Sequence, residues 1–255
     1  MPTADRPTTR DIGAFYDRFW QPENQAVQDE HDFHGFQDSL EQALAWLLTS
    51  EGGLDGRRLL EIGPGRGRDT ESFARAGARI VALDVASASV TLARERLRAA
   101  GYGDRIDCIV ADAANLPFRD GAFDVTFSRF VIAHVDTQRM ANELARAIAP
   151  GGRAIFVEPL RHNPLVSLYR RFSPTGCRET APRYISLGDA RRMGRLFPRG
   201  IRHREFYFFS VAALAARGTA LFRPLATILQ WLELPLTMWT PLRAFCWVIV
   251  AELRR

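Results

Sequence analysis

Short apolar strands alternate with amphipathic helical stretches along the middle of the chain, and this alternation limits the fold more than any other feature. The strand candidates cover residues 58–63, 79–84, 107–111, 123–128 and 152–158, with helical patterns near 70–76, 87–100 and 137–148. Strands that are apolar on both faces and separated by helices are typical of a parallel sheet covered on both sides. The sequence therefore predicts an α/β fold with a doubly wound sheet.

The N-terminal part differs from this alternating region. Residues 11–19 and 37–49 have apolar positions at helical spacing and predict a helical cap over residues 1–50. We expect residues 55–160 to form the core of one domain that spans residues 1–255.

Past residue 160, prolines interrupt the alternation. Residues 202–209 and 244–253 predict two further strands, and residues 211–241 between them predict a helical insertion. We therefore expect residues 161–255 to form the side of the domain that receives the substrate.

Charge is unevenly divided along the chain. Residues 1–150 hold 17 arginines against 23 acidic residues, whereas residues 151–255 hold 17 arginines against six. A basic, aromatic-rich region suits an anionic small molecule, a phosphorylated lipid or an anionic membrane surface, although arginines that only solvate the surface explain it as well. The arginines are scattered among apolar residues, which disfavours nucleic acid as a partner.

Compartment and membrane topology follow from three further observations. The start of the chain lacks the apolar segment of a secretion signal, and the three cysteines are too few and too widely spaced for a disulfide framework. The longest uncharged stretch of the insertion, residues 224–232, is far shorter than the about 20 residues of a membrane-spanning helix. We expect a cytoplasmic protein, with peripheral membrane contact left open and the oligomeric state undetermined.

A glycine-rich turn follows the first predicted strand in the sequence LEIGPGRG. Gly63, Gly65 and Gly67 occupy alternate positions, so the backbone can turn sharply and approach a ligand closely. In doubly wound sheets this turn lies at the carboxyl edge, where nucleotides bind.

Three acidic residues refine this prediction. Asp84 ends the second strand, about 20 residues past the turn, where a carboxylate can accept both ribose hydroxyls. Asp112 closes the third strand, where a carboxylate can accept from the amine of an adenine. Glu61 places negative charge beside the turn, which repels a dinucleotide phosphate and attracts an ammonium group. Together they favour an adenosine with a cationic amino-acid tail.

At this point the sequence resembles the class I S-adenosylmethionine (SAM)-dependent methyltransferases, including those of ubiquinone and menaquinone biosynthesis. The resemblance rests on LEIGPGRG, VALDVA, ADAANLPF, FDVTFSRFVIAHV and ARAIAPGGRAIFVEP, which occur in the family order over residues 55–160. It implies a Rossmann-like, seven-stranded sheet whose last strand is antiparallel, with SAM as the methyl donor and S-adenosylhomocysteine as the product.

The resemblance also implies a set of cofactor contacts. Glu61 and the glycines would line the methionine side, and Arg129 could pair with the methionine carboxylate or remain a surface residue. Tyr16 could fold over the cofactor or belong to the helical packing. The full set is Tyr16, Glu61, Gly63, Gly65, Gly67, Asp84, Val85, Asp112, Ala113, Ser128 and Arg129.

Methyl transfer from a sulfonium needs a base only when the acceptor must lose a proton, and much of its catalysis is alignment and exclusion of water. His134, just past the fourth strand, and His162, just past the fifth, are the candidate catalytic residues. A structural role for His134 and a helix-capping role for His162 remain open. His31 and His34 have the spacing of a loose metal pair but lack supporting ligands, so we expect no metal.

The function that this pattern favours is methylation of a hydrophobic, possibly anionic small molecule at oxygen or carbon, as in the biosynthesis of quinones, terpenoids, lipids or secondary metabolites. Three alternatives remain: a prenyl-diphosphate C-methyltransferase that uses Arg170 and Arg171, a non-catalytic SAM-binding protein, and an RNA methyltransferase.

Overall fold

Seven strands form one mixed sheet in the order β3-β2-β1-β4-β5-β7-β6. The computed structural model describes residues 7–21, 24, 38–49, 53–172, 184–237 and 240–255. The strands are β1 Arg58–Ile62, β2 Arg79–Asp84, β3 Ile106–Val110, β4 Phe123–Arg129, β5 Ile148–Pro159, β6 Ile201–Phe206 and β7 Val248–Arg254. The helices are α1 Thr9–Phe19, α2 Asp38–Thr49, α3 Arg68–Arg75, α4 Ser87–Ala99, α5 Thr137–Ala147, α6 Pro164–Phe172, α7 Leu187–Gly194, α8 Phe222–Thr237 and α9 Thr240–Arg243.

Strand direction confirms the predicted architecture. β1 to β5 pair in parallel, whereas β7 lies between β5 and β6 and is antiparallel to both. The sheet is therefore the doubly wound, Rossmann-like sheet expected from the resemblance, with its last strand reversed.

Helices bury both faces of the sheet, as the apolar strands require. Leu44 of α2, Phe73 of α3 and Leu97 of α4 pack on one face, and Ala226 of α8 joins the same cluster. Met140 of α5 belongs to the cluster on the opposite face, together with buried side chains of α7. Two apolar layers therefore enclose the sheet.

The predicted boundaries of the last two strands were wrong. Residues 202–209 were expected as strand, but β6 ends at Phe206 because Tyr207 adopts a left-handed conformation with φ of 65°. Residues 244–253 were expected as strand, but β7 begins at Val248 because the backbone N–H groups of Phe245 and Cys246 donate to α9 carbonyls in a turn. The insertion contains a 3₁₀ segment, 210–216, followed by α8 and α9.

Within the described part of the chain, none of the helices combines the length and the apolar character needed to cross a bilayer.

Candidate functional site

The carboxyl ends of the central strands meet at one edge of the sheet. Ile62 at the end of β1 is in register with Leu83 of β2 on one side and Ser128 of β4 on the other. The loops that follow these strands carry most of the predicted site residues, so the parallel topology brings together residues that are distant in sequence.

The glycine turn after β1 depends on the absence of side chains. Gly63, Gly65 and Gly67 all have positive φ, at 74°, 53° and 73°. A Cβ on Gly63 would lie 2.4 Å from a methyl carbon of Val131, and a Cβ on Gly67 would lie 2.9 Å from Cα of Ala93. The turn therefore needs glycine both for its backbone conformation and for its close neighbours.

Glu61 is buried at the end of β1, with 1% of its surface exposed. Its Oε2 makes no hydrogen bond with any residue that the structure describes. Burial, reinforced by the nearby negative charge of Asp69, raises the pKa of Glu61 to about 8. An ammonium group beside this buried acid would favour its charged form, so the site fits a ligand with a cationic amino-acid tail.

Asp84 lies at the end of β2 and already has a defined orientation. Its carboxylate accepts from the backbone N–H of Ala86 at 2.9 Å and from the Ser89 hydroxyl at 2.6 Å, and burial raises its pKa. Ser89 Oγ also lies 3.4 Å from the carbonyl oxygen of Gly65. Sequence reasoning missed Ser89, which links the ribose-binding candidate to the glycine turn from the first turn of α4.

Helix α1 lies across the loops that follow β1 and β2. The Trp20 ring, just past α1, approaches Gly65 so closely that a Cβ there would lie 3.3 Å away. A Cβ on Gly13 would lie 3.0 Å from the carbonyl oxygen of Val85. Asp17 accepts from the backbone N–H of Ala88 at 2.9 Å, at the N-terminus of α4.

The same helix contacts the loops after β3 and β4. The Thr9 hydroxyl donates to Asp112 Oδ2 at 2.8 Å. The Tyr16 hydroxyl lies 3.1 Å from His134 Nε2, and their rings pack edge to face. The structure thus brings Tyr16 and His134 together, and α1 covers the edge where the predicted cofactor residues converge.

The loop after β3 holds the two predicted adenine residues. Asp112 Oδ1 accepts from the backbone N–H of Ala114 at 2.8 Å, which forms a turn and fixes the carboxylate. Ala113 is buried. The Thr9 hydroxyl already donates to the other Asp112 oxygen. The amine of an adenine would therefore have to share that oxygen with Thr9 or replace Thr9 as its donor.

Arg129, at the end of β4, is held by protein carboxylates. Its guanidinium donates to Asp69 Oδ2 at 2.8 Å and to Glu41 Oε1 at 2.8 Å, and it lies over the Phe127 ring. Burial opposes its charge, but Asp69 and Glu41 raise the pKa of Arg129 above its ordinary value. The preceding Ser128 is buried. The contact of Arg129 to the methionine carboxylate stays a prediction, and the structure shows different partners.

Glu158 fixes the loop that carries His134, a role that sequence reasoning missed. Its Oε1 accepts from the backbone N–H groups of Val131 at 2.8 Å and Ile132 at 2.9 Å. The loop starts at Phe130, whose φ of 59° is unusual for a residue with a side chain. Burial raises the pKa of Glu158 to about 8, and its Oε2 has no hydrogen-bond partner among the described residues.

His162, the second candidate base, is exposed in the loop after β5. The next residue, Asn163, is fully buried and carries the contacts of that loop. Its side-chain amide donates to the carbonyl oxygens of Tyr207, Phe208 and Phe245 at 3.2, 2.8 and 2.9 Å. The loop after β5 is therefore tied to the segments after β6 and before β7, and its histidine faces solvent.

Other predicted residues lie partly outside the described chain. His31 and His34 are outside the described residues, as is the side chain of Arg170, whereas Arg171 is exposed on α6. Within the described ranges, no three His, Cys, Asp or Glu residues are grouped as metal ligands.

Several of the known proteins that this chain resembles are methyltransferases. Residues 60–156 match the family model of a methyltransferase domain. A demethylmenaquinone methyltransferase from Clavibacter sepedonicus is 34% identical over 133 residues, which are 52% of this chain and 52% of that protein. The chain thus spans about half the length of that curated relative.

Two further matches extend over more of the chain. A ubiquinone biosynthesis O-methyltransferase from Bordetella parapertussis is 26% identical over 213 residues, which cover 79% of this chain and 85% of that protein. The crystal structure of geranyl diphosphate C-methyltransferase from Streptomyces coelicolor A3(2), in complex with Mg²⁺, geranyl diphosphate and S-adenosylhomocysteine, superposes with a TM-score of 0.63. It is 17% identical and covers 99% of this chain and 100% of that one, which establishes the shared fold.

Proposed function

We propose that this chain, which belongs to the class I SAM-dependent methyltransferases, transfers the methyl group of SAM to a hydrophobic small-molecule acceptor at an oxygen or carbon atom. The observation that carries the proposal is the buried Glu61, whose Oε2 has no hydrogen-bond partner among the described residues, beside a turn of three positive-φ glycines. A carboxylate at this position would repel a phosphate and attract the ammonium group of a methionine tail.

The residues of the edge suit each part of this cofactor. Glu61 would hold the ammonium group, and the backbone of Gly63 and Gly65 would line the methionine tail. Asp84, already oriented by Ser89, would accept from the ribose hydroxyls, and the Asp112 loop would contact the adenine. The bound cofactor supplies an electrophilic methyl group on a sulfonium.

The protein's own contribution is alignment, exclusion of water and control of one proton. Helix α1 covers the edge through Thr9, Tyr16 and Asp17, so it shields the reacting atoms from solvent. His134, whose Nε2 is 3.1 Å from the Tyr16 hydroxyl, is our candidate to receive the proton of a hydroxyl acceptor. His162, at the carboxyl end of β5, is our candidate for contact with the acceptor.

The acceptor class rests on two supports. Two of the relatives are named for demethylmenaquinone methylation and for ubiquinone biosynthesis. The C-terminal region, which follows β5 and varies most from a simple α/β repeat, is rich in aromatic residues and arginine. Both observations favour a hydrophobic acceptor, with or without an anionic group. The proposed setting is a reducing compartment such as the cytoplasm.

Calorimetry and a methyl-transfer assay test the proposal. We expect S-adenosylhomocysteine to bind the purified full chain with a stoichiometry of one. We then expect methyl-labelled SAM to modify at least one member of a panel of demethylated quinols, polyketide phenols and geranyl diphosphate. Binding without transfer to any member would favour a non-catalytic SAM-binding protein, and labelling of RNA instead would overturn the small-molecule assignment.

A further inference from the structure

Helix α8 presents two apolar faces, of which the protein core covers one. The covered face includes Ala226, which is 2% exposed, and Glu233. The other face carries large side chains that are 38–70% exposed: Leu221, just before the helix, and Leu225, Ile228, Trp231, Leu232 and Leu236 within it. At about 100° per residue these positions share an arc of roughly 140°. A continuous exposed apolar face of this kind marks an interaction surface.

Glu233 fixes which face points outward. Its carboxylate accepts from the backbone N–H groups of Tyr207 at 3.1 Å, Phe209 at 3.1 Å and Ser210 at 2.9 Å, and from the Ser210 hydroxyl at 2.9 Å. The four hydrogen bonds that this one buried side chain accepts hold α8 against the segment after β6. The helix therefore cannot roll its apolar stripe into the core without breaking this set of bonds.

The charges around the stripe have one sign. Between residues 206 and 247 the sequence contains a single acidic residue, Glu233, and it is buried. The same segment contains Arg217 and Arg223, both exposed, and Arg243, which is half-buried and lies 3.9 Å from the Glu205 carboxylate. The exposed charges of this segment are thus positive.

The positive charges help to decide between two potential occupants of the stripe, a second copy of the chain and a membrane surface. A second copy docked through α8 would bring the exposed positive charges of this segment near their own copies, which is unfavourable. An anionic bilayer offers hydrocarbon to the leucines, phosphate to the arginines and an interfacial layer that suits Trp231.

We propose that α8 is an interfacial helix, which lies in the plane of an anionic membrane surface with its Leu221–Leu236 stripe inserted. Its opposite side stays packed on the protein, so the helix enters only the headgroup and upper acyl region. The inference does not rest on methyl transfer, since vesicle binding needs neither cofactor nor acceptor.

Vesicle flotation with the full chain tests the inference. We expect the protein to float with vesicles of phosphatidylcholine containing 30% phosphatidylglycerol, and to bind at least tenfold less to phosphatidylcholine alone or in 0.5 M salt. Binding should shift tryptophan emission to shorter wavelength, and Trp231→Phe should remove most of that shift. An unchanged shift in Trp231→Phe would overturn the assignment to α8.

Matched variants locate the surface. Ile228→Gln/Leu232→Gln should bind at least tenfold less to the anionic vesicles, whereas Val110→Gln/Leu196→Gln, which changes two exposed apolar residues elsewhere, should bind like the parent. Circular dichroism and S-adenosylhomocysteine affinity confirm that each variant is folded.

Three outcomes would contradict the proposal. The first is absence of flotation with either vesicle, and the second is equal loss in both double variants. The third is a dimer in sedimentation velocity that dissociates in Ile228→Gln/Leu232→Gln, which would assign the stripe to a second copy.

Discussion

Buried carboxylates serve different purposes in the two parts of this molecule. Between β1 and β5, Glu61 and Glu158 each keep one buried oxygen without a hydrogen-bond partner among the described residues. In the C-terminal region, Glu233 accepts four hydrogen bonds, and Glu252 receives Arg153 and Arg254 at 3.3 and 2.8 Å. Burying a carboxylate costs free energy unless partners compensate. The acids of the first part thus keep unused acceptor oxygens among the described residues, whereas the acids of the second part are engaged within the fold.

Asp84→Ala gives the largest effect expected from this contrast. Loss of two charge-assisted hydrogen bonds to a ribose should weaken SAM binding about a thousandfold, because each contributes about 1.5–3 kcal/mol. Titration calorimetry measures the change. Asp107→Ala, which removes an exposed acid on β3, is the control and should bind normally. Equal affinities in the two variants would remove Asp84 from the site.

Glu233→Ala should instead lower the stability of the protein and leave its SAM affinity nearly unchanged. It leaves three backbone N–H groups and one hydroxyl without their acceptor, so the free energy of unfolding should fall by about 3 kcal/mol. SAM affinity should stay within about twofold of the parent. Urea denaturation and calorimetry measure the two quantities. A loss of SAM affinity without a loss of stability would contradict the purely structural role that we assign to Glu233.

Stability should fall as pH rises, because Glu61 and Glu158 favour the protonated form when folded. Burial raises both pKa values to about 8, from 4.5. Their contribution to stability is fully present below pH 4.5 and is lost as pH rises through 8. We expect the melting temperature to drop by about 10 °C between pH 6 and pH 9.

Glu158→Gln sharpens this test. Its amide oxygen can still accept from Val131 and Ile132, but the side chain cannot ionise. The pH-dependent drop should therefore be about half as large in this variant. A drop as large as in the parent would show that other groups cause it.

Tyr16→Phe should produce the smallest effect. It removes the hydrogen bond to His134, which contributes about 1 kcal/mol, so S-adenosylhomocysteine should dissociate about fivefold faster. Stopped-flow displacement measures this rate. Tyr102→Phe, on the loop after α4, serves as the control with an unchanged rate. Equal rates in both variants would mean that Tyr16 does not help to close α1.

The sequence predicted the sheet and the convergence of the candidate residues at one edge, and the reasons are local. Apolar runs, glycine spacing and the acid at Asp84 are visible within short windows, while the reversed last strand came from the family resemblance. Asn163 and Glu233 could not be assigned in this way, since their partners lie 44–82 and 23–26 residues away in sequence. The end of β6 at Phe206 could not be predicted either, because a left-handed backbone usually indicates glycine and the residue that adopts it here is Tyr207.

The cap helix was predicted, but its position was not. Thr9 meets Asp112 and Tyr16 meets His134 across 103 and 118 residues of sequence, so only the assembled fold brings them together. His162 illustrates the reverse case: its place after β5 suggested a site residue, yet the neighbouring Asn163 holds the loop in place. The roles of the predicted cofactor residues stay predictions until a ligand complex or the variants above test them.

The attachment of α1 to four separate loops has a kinetic consequence. With the cofactor bound as proposed, release of the spent donor would require this helix to detach, and the contacts of α1 and the adjoining Trp20 to the loops after β1, β2, β3 and β4 would break in that event. The frequency of that opening would then set an upper limit on the number of catalytic cycles per second. Deuterium uptake by the α1 amides would report that frequency directly, even before the natural acceptor is known.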